Sequence, residues 1–197
     1  MEKQKYAAIV LAAGSGKRMN SKVHKQYLII QNRPVLYYSL KAFEDSAVDE
    51  IVLVVGKGEE EFCRKEIVDK YGISKVKAIV EGGKERYHSV FEGLKQTSDA
   101  DYVLIHDGAR PYVSKKSIND LVECLKTYDA GLLMVPCKDT IKEVKEGIVV
   151  KTLKRETLMQ AQTPQVFKSE DIKVAYQKAK DEGYVAVSYT HLTLPTT

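Results

Sequence analysis

Short apolar runs alternate with helix-period segments along most of this chain, and that alternation constrains the fold more than any other feature. The runs are Tyr6–Leu11, Ile51–Val55, Val76–Val80, Tyr102–His106 and Gly131–Val135. Each is short and rich in Val, Ile or Leu, so each reads as a buried parallel strand. Between them, a helical pattern starts near Pro34 with Leu36, Leu40 and Phe43 on one face. Others cover about Glu59–Tyr71, Tyr87–Lys95 and Ser117–Tyr128. Strands alternating with helices predict an α/β fold: a Rossmann-like, mostly parallel sheet flanked by helices and joined by right-handed crossovers. On such a sheet, ligands bind beyond the carboxyl ends of the strands.

One stretch departs from the alternation. Asp139–Val144 (DTIKEV) and Ile148–Leu153 (IVVKTL) flank Lys145-Glu146-Gly147 and read as a hairpin. Its residues are exposed in character, so a β-arm at about 137–155 is expected to project from the body. A two-stranded arm is marginal alone, and packing against a second copy would explain it. A homodimer is therefore expected.

Composition narrows the class. A chain of 197 residues with 44% hydrophobic and 29% charged residues is long enough for one domain with a real core. The net charge of +4 suits an anionic small molecule and is too small and dispersed to argue for nucleic acid. No apolar run approaches the roughly 18 residues of a membrane span. The start, MEKQKYAAIVLAAG, meets a glycine-rich turn and cations where a signal peptide would continue its apolar core. Cys63, Cys124 and Cys137 are odd in number and lack CxxC spacing, which fits a reducing cytoplasm and no zinc site.

The first strand runs into LAAGSGKRM, Leu11 to Met19. Backbone N–H groups of such a loop are able to point at an anion, with Gly14 and Gly16 permitting close approach and Arg18 adding a bidentate phosphate contact. The spacing is neither GxGxxG nor GxxxxGK[ST]. An ordinary βα loop with a solvated arginine is the plain alternative.

The whole string resembles the opening of nucleotidyltransferases, LAAGxGxRM followed by Lys25-Gln26-Tyr27. Further along stand EGGKERYHSV (Glu81–Val90), HDGARP (His106–Pro111), VPCKDTIK (Val135–Lys142) and RETLMQAQTPQVF (Arg155–Phe167). In order and spacing these resemble the 2-C-methyl-D-erythritol 4-phosphate cytidylyltransferase family of the non-mevalonate isoprenoid pathway. The resemblance runs from about Tyr6 to about Ala186, and it implies a glycosyltransferase-A-like nucleotidyltransferase fold. Ribitol-5-phosphate cytidylyltransferases share the Lys-Gln and Gln-Thr-Pro-Gln elements. They tend to carry LAGG and HDAVRP, where this chain has LAAG and HDGARP.

The resemblance implies transfer of CMP from CTP to methylerythritol phosphate, with pyrophosphate leaving. It implies Arg18 and Lys25 as the clamp on the triphosphate, and Ala12, Ala13, Gly14, Ser15 and Gly16 lining the nucleotide through the backbone. Gly83, Lys84 and Ser89 would meet the cytosine and ribose. Asp107 ends the fourth predicted strand, where a carboxylate is placed to bind Mg²⁺ or another divalent cation and the substrate; a helix N-cap is the plain reading. His106 reads as structural. Arg110 points to substrate phosphate, a dimer contact or a buried structural role. Thr140 and Arg155 lie at or beside the arm and, by resemblance, reach the partner's substrate, Arg155 among the catalytic groups. Thr163 is a substrate contact by resemblance, or Thr163-Pro164 is simply a turn.

After Ala186 the family continues with a Thr-Asp segment, another strand and an Asn-Ile-Lys element whose lysine contacts the reacting phosphate. This chain instead reads VSYTHLTLPTT, residues 187–197, which resembles translated sequencing-adapter sequence. Residues 1–186 therefore read as one domain incomplete at its C-terminus, and 187–197 as a non-native tail. Such a chain is expected to be poorly soluble and poorly active. Two other classes stay open on sequence alone: a CTP-binding module without catalysis, and a dinucleotide oxidoreductase, which the missing GxGxxG disfavours.

Overall fold

The computed structural model of the protein describes residues 3–14, 23–97 and 99–181. In chain order the elements begin with β1 (Tyr6–Ala12), a small hairpin of β2 (Ile29–Ile30) and β3 (Arg33–Pro34), α1 (Val35–Glu44) and β4 (Glu50–Val55). They continue with α2 (Glu60–Cys63), β5 (Val76–Glu81), α3 (Arg86–Leu94), β6 (Tyr102–Asp107) and α4 (Lys115–Cys124). The last are β7 (Ala130–Pro136), β8 (Lys142–Lys145), β9 (Ile148–Thr152), β10 (Met159–Lys168) and α5 (Ser169–Asp181).

Six strands form one sheet in the order β5-β4-β1-β6-β10-β7. The pairs β5–β4, β4–β1 and β1–β6 are parallel; β10 runs antiparallel to both β6 and β7. Side chains alternate between the faces of each strand, so a strand buried on both sides feeds two cores. Ala8, Val10, Leu53, Val55 and Leu104 meet Leu36, Leu40 and Phe43 of α1 and Ile118 and Leu121 of α4. On the other face Ile9, Val52, Val54, Val103 and Ile105 meet Val90 and Leu94 of α3 and Ile172 and Tyr176 of α5. The result is a three-layer α/β/α body. Gly93 lets α3 lie close on the sheet, since a Cβ there would come within 2.6 Å of Ile9 Cγ2.

Three sequence expectations need correction. Gly131–Val135 is a strand, but neither buried nor paired in parallel: β7 bonds antiparallel to β10 and is mostly exposed. The reason is β10, which occupies the place beside β6 that a fifth parallel strand would take. From sequence, the stretch that forms β10 shows only a motif with a turn at Thr163-Pro164. In the structure it is a strand with a register shift between Ala161 and Gln165, and the Thr163-Pro164 bond is cis. The helix expected over Glu59–Tyr71 is one α-helical turn, α2, widening into π-helical turns over Arg64–Asp69.

The hairpin forms as β8 and β9, and every residue of both strands is exposed. Its turn is the pair Glu146 and Gly147, at φ 50° and 80°. Positive φ at both central residues is what a two-residue hairpin turn of matching twist requires.

Candidate functional site

The parallel register brings four strand ends to one edge. Ala12 pairs with Val55, Val55 with Glu81, and Leu11 with Asp107. The loops that leave these ends carry most of the residues singled out in the sequence. Ser15, Gly16 and Arg18 lie outside the described residues, as does the tail at 187–197.

On the β5 side, the Gly82-Gly83 turn packs against the loop that leaves β1. A Cβ on Gly82 would lie 2.5 Å from Ala13 Cβ and 2.7 Å from Ser89 Oγ. Ala12, Ala13, Gly83 and Ser89 are thus gathered at one place by a contact that only a glycine at 82 permits. Ser89, buried on the first turns of α3, donates its hydroxyl toward the carbonyls of Glu85 at 3.3 Å and Gly83 at 3.5 Å. Gly14 and Lys84 are exposed beside this turn.

Lys25 is also exposed, on a 3₁₀ turn over Lys25–Tyr27, yet its backbone is held on both sides. Buried Gln26 donates Nε2–H to the carbonyl of Ala12 at 2.5 Å. Glu59 accepts from Tyr27 Oη at 2.7 Å and from the Gly56 amide at 3.1 Å, and lies 2.9 Å from His24 Nδ1. Gln26 is thus pinned to the end of β1, and Tyr27 and His24 to Glu59, so Lys25 is presented at that edge with no partner on its ammonium among the described residues.

Asp107, Arg110 and Thr163 come together at the end of β6. Arg86 donates Nε–H and Nη2–H to Asp107 Oδ1 at 3.0 and 2.6 Å. Arg110 donates Nε–H to Oδ2 at 3.1 Å and Nη1–H to Gln162 Oε1. Burial pushes the Asp107 carboxyl up, but Arg86 first and then Arg110 outweigh it and hold the group below the usual carboxylate range. The cluster carries two cations on one carboxylate, so it presents net positive charge.

Behind it runs a chain of bonds whose direction chemistry fixes. His106 Nε2 lies 3.2 Å from the Arg110 carbonyl, which only accepts, so Nε2 carries the ring hydrogen. Nδ1 is then bare and accepts the Thr163 hydroxyl at 3.0 Å. The Thr163 oxygen in turn accepts the Asp107 amide at 3.2 Å. His106 is fully buried, and burial drives its pKa down to about 4. It is neutral, and it fixes the turn that carries both Asp107 and Arg110. A cleft of about 420 Å³ opens beside this turn, lined by Arg110, Tyr112, Ser117, Leu133, Gln162 and Thr163 among others.

Thr140 and Arg155 sit apart, at the base of the arm. Both are exposed, and Arg155 donates Nη1–H to the Lys138 carbonyl at 3.2 Å. Among the described residues, no group of three or more His, Cys, Asp or Glu side chains could hold a metal ion. Asp107 stands alone with a guanidinium on each oxygen. That donor set does not fit a resident metal. No helix among the described residues is long and apolar enough to cross a membrane.

Arg86, Gln26, Glu59 and Gln162 were not singled out from sequence. Arg86 stands inside EGGKERYHSV, but nothing local marks it as the partner of a carboxylate 21 residues on. Gln26 adjoins Lys25 in the motif, where attention falls on the cation.

Residues 6–191 match the sequence model of one family, IspD, 2-C-methyl-D-erythritol 4-phosphate cytidylyltransferase. The enzyme of that name from Alkaliphilus metalliredigens is 47% identical over 180 residues, covering 90% of this chain and 75% of that one. The one from Clostridium novyi is 44% identical over 196 residues, covering 95% and 85%. Among solved structures, the 4-diphosphocytidyl-2C-methyl-D-erythritol synthase of Anaerococcus prevotii superposes with a TM-score of 0.84 at 31% identity, over 96% of this chain and 81% of that one.

Proposed function

The chain belongs to the 2-C-methyl-D-erythritol 4-phosphate cytidylyltransferase family, and from that premise we propose that it transfers CMP from CTP to 2-C-methyl-D-erythritol 4-phosphate, giving CDP-methylerythritol and pyrophosphate. The observation that carries this is the family match over residues 6–191.

The nucleophile is a phosphate oxygen that is already anionic, so the site needs no general base. It attacks the α-phosphorus in line, the new P–O bond forming as the bond to the pyrophosphate oxygen breaks. What the protein supplies is alignment and positive charge. In this reading Arg18 and Lys25 offset charge on the α-phosphate and the departing pyrophosphate. Ala12, Ala13, Gly14, Ser15 and Gly16 line the nucleotide, and Gly83, Lys84 and Ser89 meet the cytosine and ribose. Backbone carbonyls of that turn are acceptors for the exocyclic amine that distinguishes cytosine from uracil.

Arg110, held by Asp107 and Gln162, faces the polyol phosphate, with Thr163 setting the turn. Asp107 would stand near a Mg²⁺ brought in with CTP, and that ion would supply positive charge against the charge on the phosphates. Thr140 and Arg155 act across a homodimer built on the arm. Val144, Ile148, Val149 and Val150 are all more than half exposed on it, a surface that a second copy would cover. The cysteines Cys63, Cys124 and Cys137 are free, in keeping with work in the cytoplasm.

Thermal shift with CTP, UTP, ATP and NAD tests the nucleotide assignment. Stabilisation by CTP above the other three is expected. Equal response to NAD or UTP would count against it.

A further inference from the structure

We infer that Arg86 is a positioning residue of the transfer site, tying the turn on the nucleotide side to the carboxylate at the end of β6. Arg86 is the first residue of α3 and follows directly on the Gly82–Glu85 turn. The turn and helix are one piece: the Ser89 amide donates to the Glu85 carbonyl at 3.1 Å, and the Ser89 hydroxyl reaches Glu85 and Gly83. From the leading end of that piece, Arg86 places Nε–H and Nη2–H on one oxygen of Asp107, at 3.0 and 2.6 Å.

The geometry assigns each Asp107 oxygen its own arginine. Oδ1 belongs to Arg86, from across the site, and Oδ2 to Arg110, from the same loop. Arg110 therefore serves one carboxylate oxygen and Gln162, and keeps N–H donors over for an anionic ligand. Without Arg86, the full carboxylate charge falls to Arg110, whose planar fork is suited to take both oxygens. Arg110 would then turn toward Asp107 and away from phosphate. Arg86 acts through Asp107 and Arg110 and touches no reacting atom. This inference rests on the reading of the Gly82–Glu85 turn as the nucleotide side and of Arg110 as a phosphate contact.

The test is a double-mutant cycle of Arg86→Gln and Asp107→Asn, with Arg86→Lys as the conservative variant. Arg86→Gln should lower kcat/KM for the polyol phosphate about ten- to a hundredfold while CTP affinity moves less than about threefold, the scale of a lost charge-assisted pair. In the Asp107→Asn background the same change should add less than about twofold, because the partner is gone. Arg86→Lys should restore part of the rate, since it returns the charge without the fork. A second readout needs no turnover: the ¹⁵Nε–H NMR signal of Arg86 should shift on Asp107→Asn. Independent, multiplicative losses in the cycle, or an Arg86 signal that ignores Asp107, would overturn the inference. If no chain transfers CMP, the functional reading fails by itself, and the NMR arm still decides the pair.

Discussion

The Thr163 hydroxyl lies 3.0 Å from Nδ1 of His106, two groups from neighbouring antiparallel strands that share one hydrogen. Both side chains are buried, and the Thr163 oxygen also receives the Asp107 amide. Thr163→Val keeps the shape and removes the hydroxyl, leaving Nδ1 and that amide without partners. It should cost about 1–3 kcal/mol of stability, whereas Thr163→Ser should cost well under half of that. Urea denaturation of the three chains measures it. Equal stability of the Val and Ser variants would show that the bond does not hold the turn.

His106 also sets a pH dependence. Its pKa falls from 6.5 to about 4 on folding, because burial disfavours the charged ring. Above 6.5 neither state takes a proton there. Between 6.5 and 4 the unfolded chain does and the folded chain does not, so stability is lost as the pH falls through that window, on the order of 3 kcal/mol in all. Unfolding free energies measured from pH 7 to 4.5 should show this slope, and His106→Gln, with no titrating ring, should flatten it.

Gly82→Ala puts a methyl group where Ala13 and Ser89 already are, at 2.5 and 2.7 Å. The β1 loop must separate from the α3 turn. A stability loss of about 1–3 kcal/mol is expected, with at least tenfold weaker CTP binding by calorimetry. Unchanged CTP affinity would mean that this contact does not build the nucleotide side.

The arm gives a prediction about assembly. Val149 pairs across the hairpin with Val144, and both are exposed in the single chain. If a second copy covers them, Val149→Asp buries an unpaired charge and should weaken the dimer by at least about a hundredfold. Light scattering coupled to size exclusion should then report a dimer for the parent chain and a monomer for the variant. A monomeric parent chain would remove the arm's proposed role.

Elements whose signal is local are legible in the sequence, and those defined by distant partners are not. β1, β4 and β6 were legible because both of their faces are buried, which forces runs such as YAAIVLA and EIVLVV. α1 was legible from Leu36, Leu40 and Phe43, all fully buried. β10 was not, because MQAQTPQVFK mixes an exposed first half with a buried second half and carries a proline, so no strand period survives. β7 followed the same failure, since its direction is meaningless until β10 is placed. At the site, glycines and charged residues in motifs were visible, and Asp107, Arg110 and Thr163 do converge. The grip of Arg86 on Asp107 and of Gln26 on Ala12 was invisible, since each joins residues that only the fold brings together.

CMP transfer from CTP to a methylerythritol phosphate is tested most directly by a product assay. The chain is incubated with Mg²⁺, each of CTP, UTP and ATP, and either 2-C-methyl-D-erythritol 4-phosphate or ribitol 5-phosphate, and the products are read by mass spectrometry so that even a slow enzyme registers. Pyrophosphate and CDP-methylerythritol from the first pairing, well above every other, is the expected outcome. A preference for ribitol 5-phosphate or another nucleotide, or CTP bound and never cleaved, would contradict it.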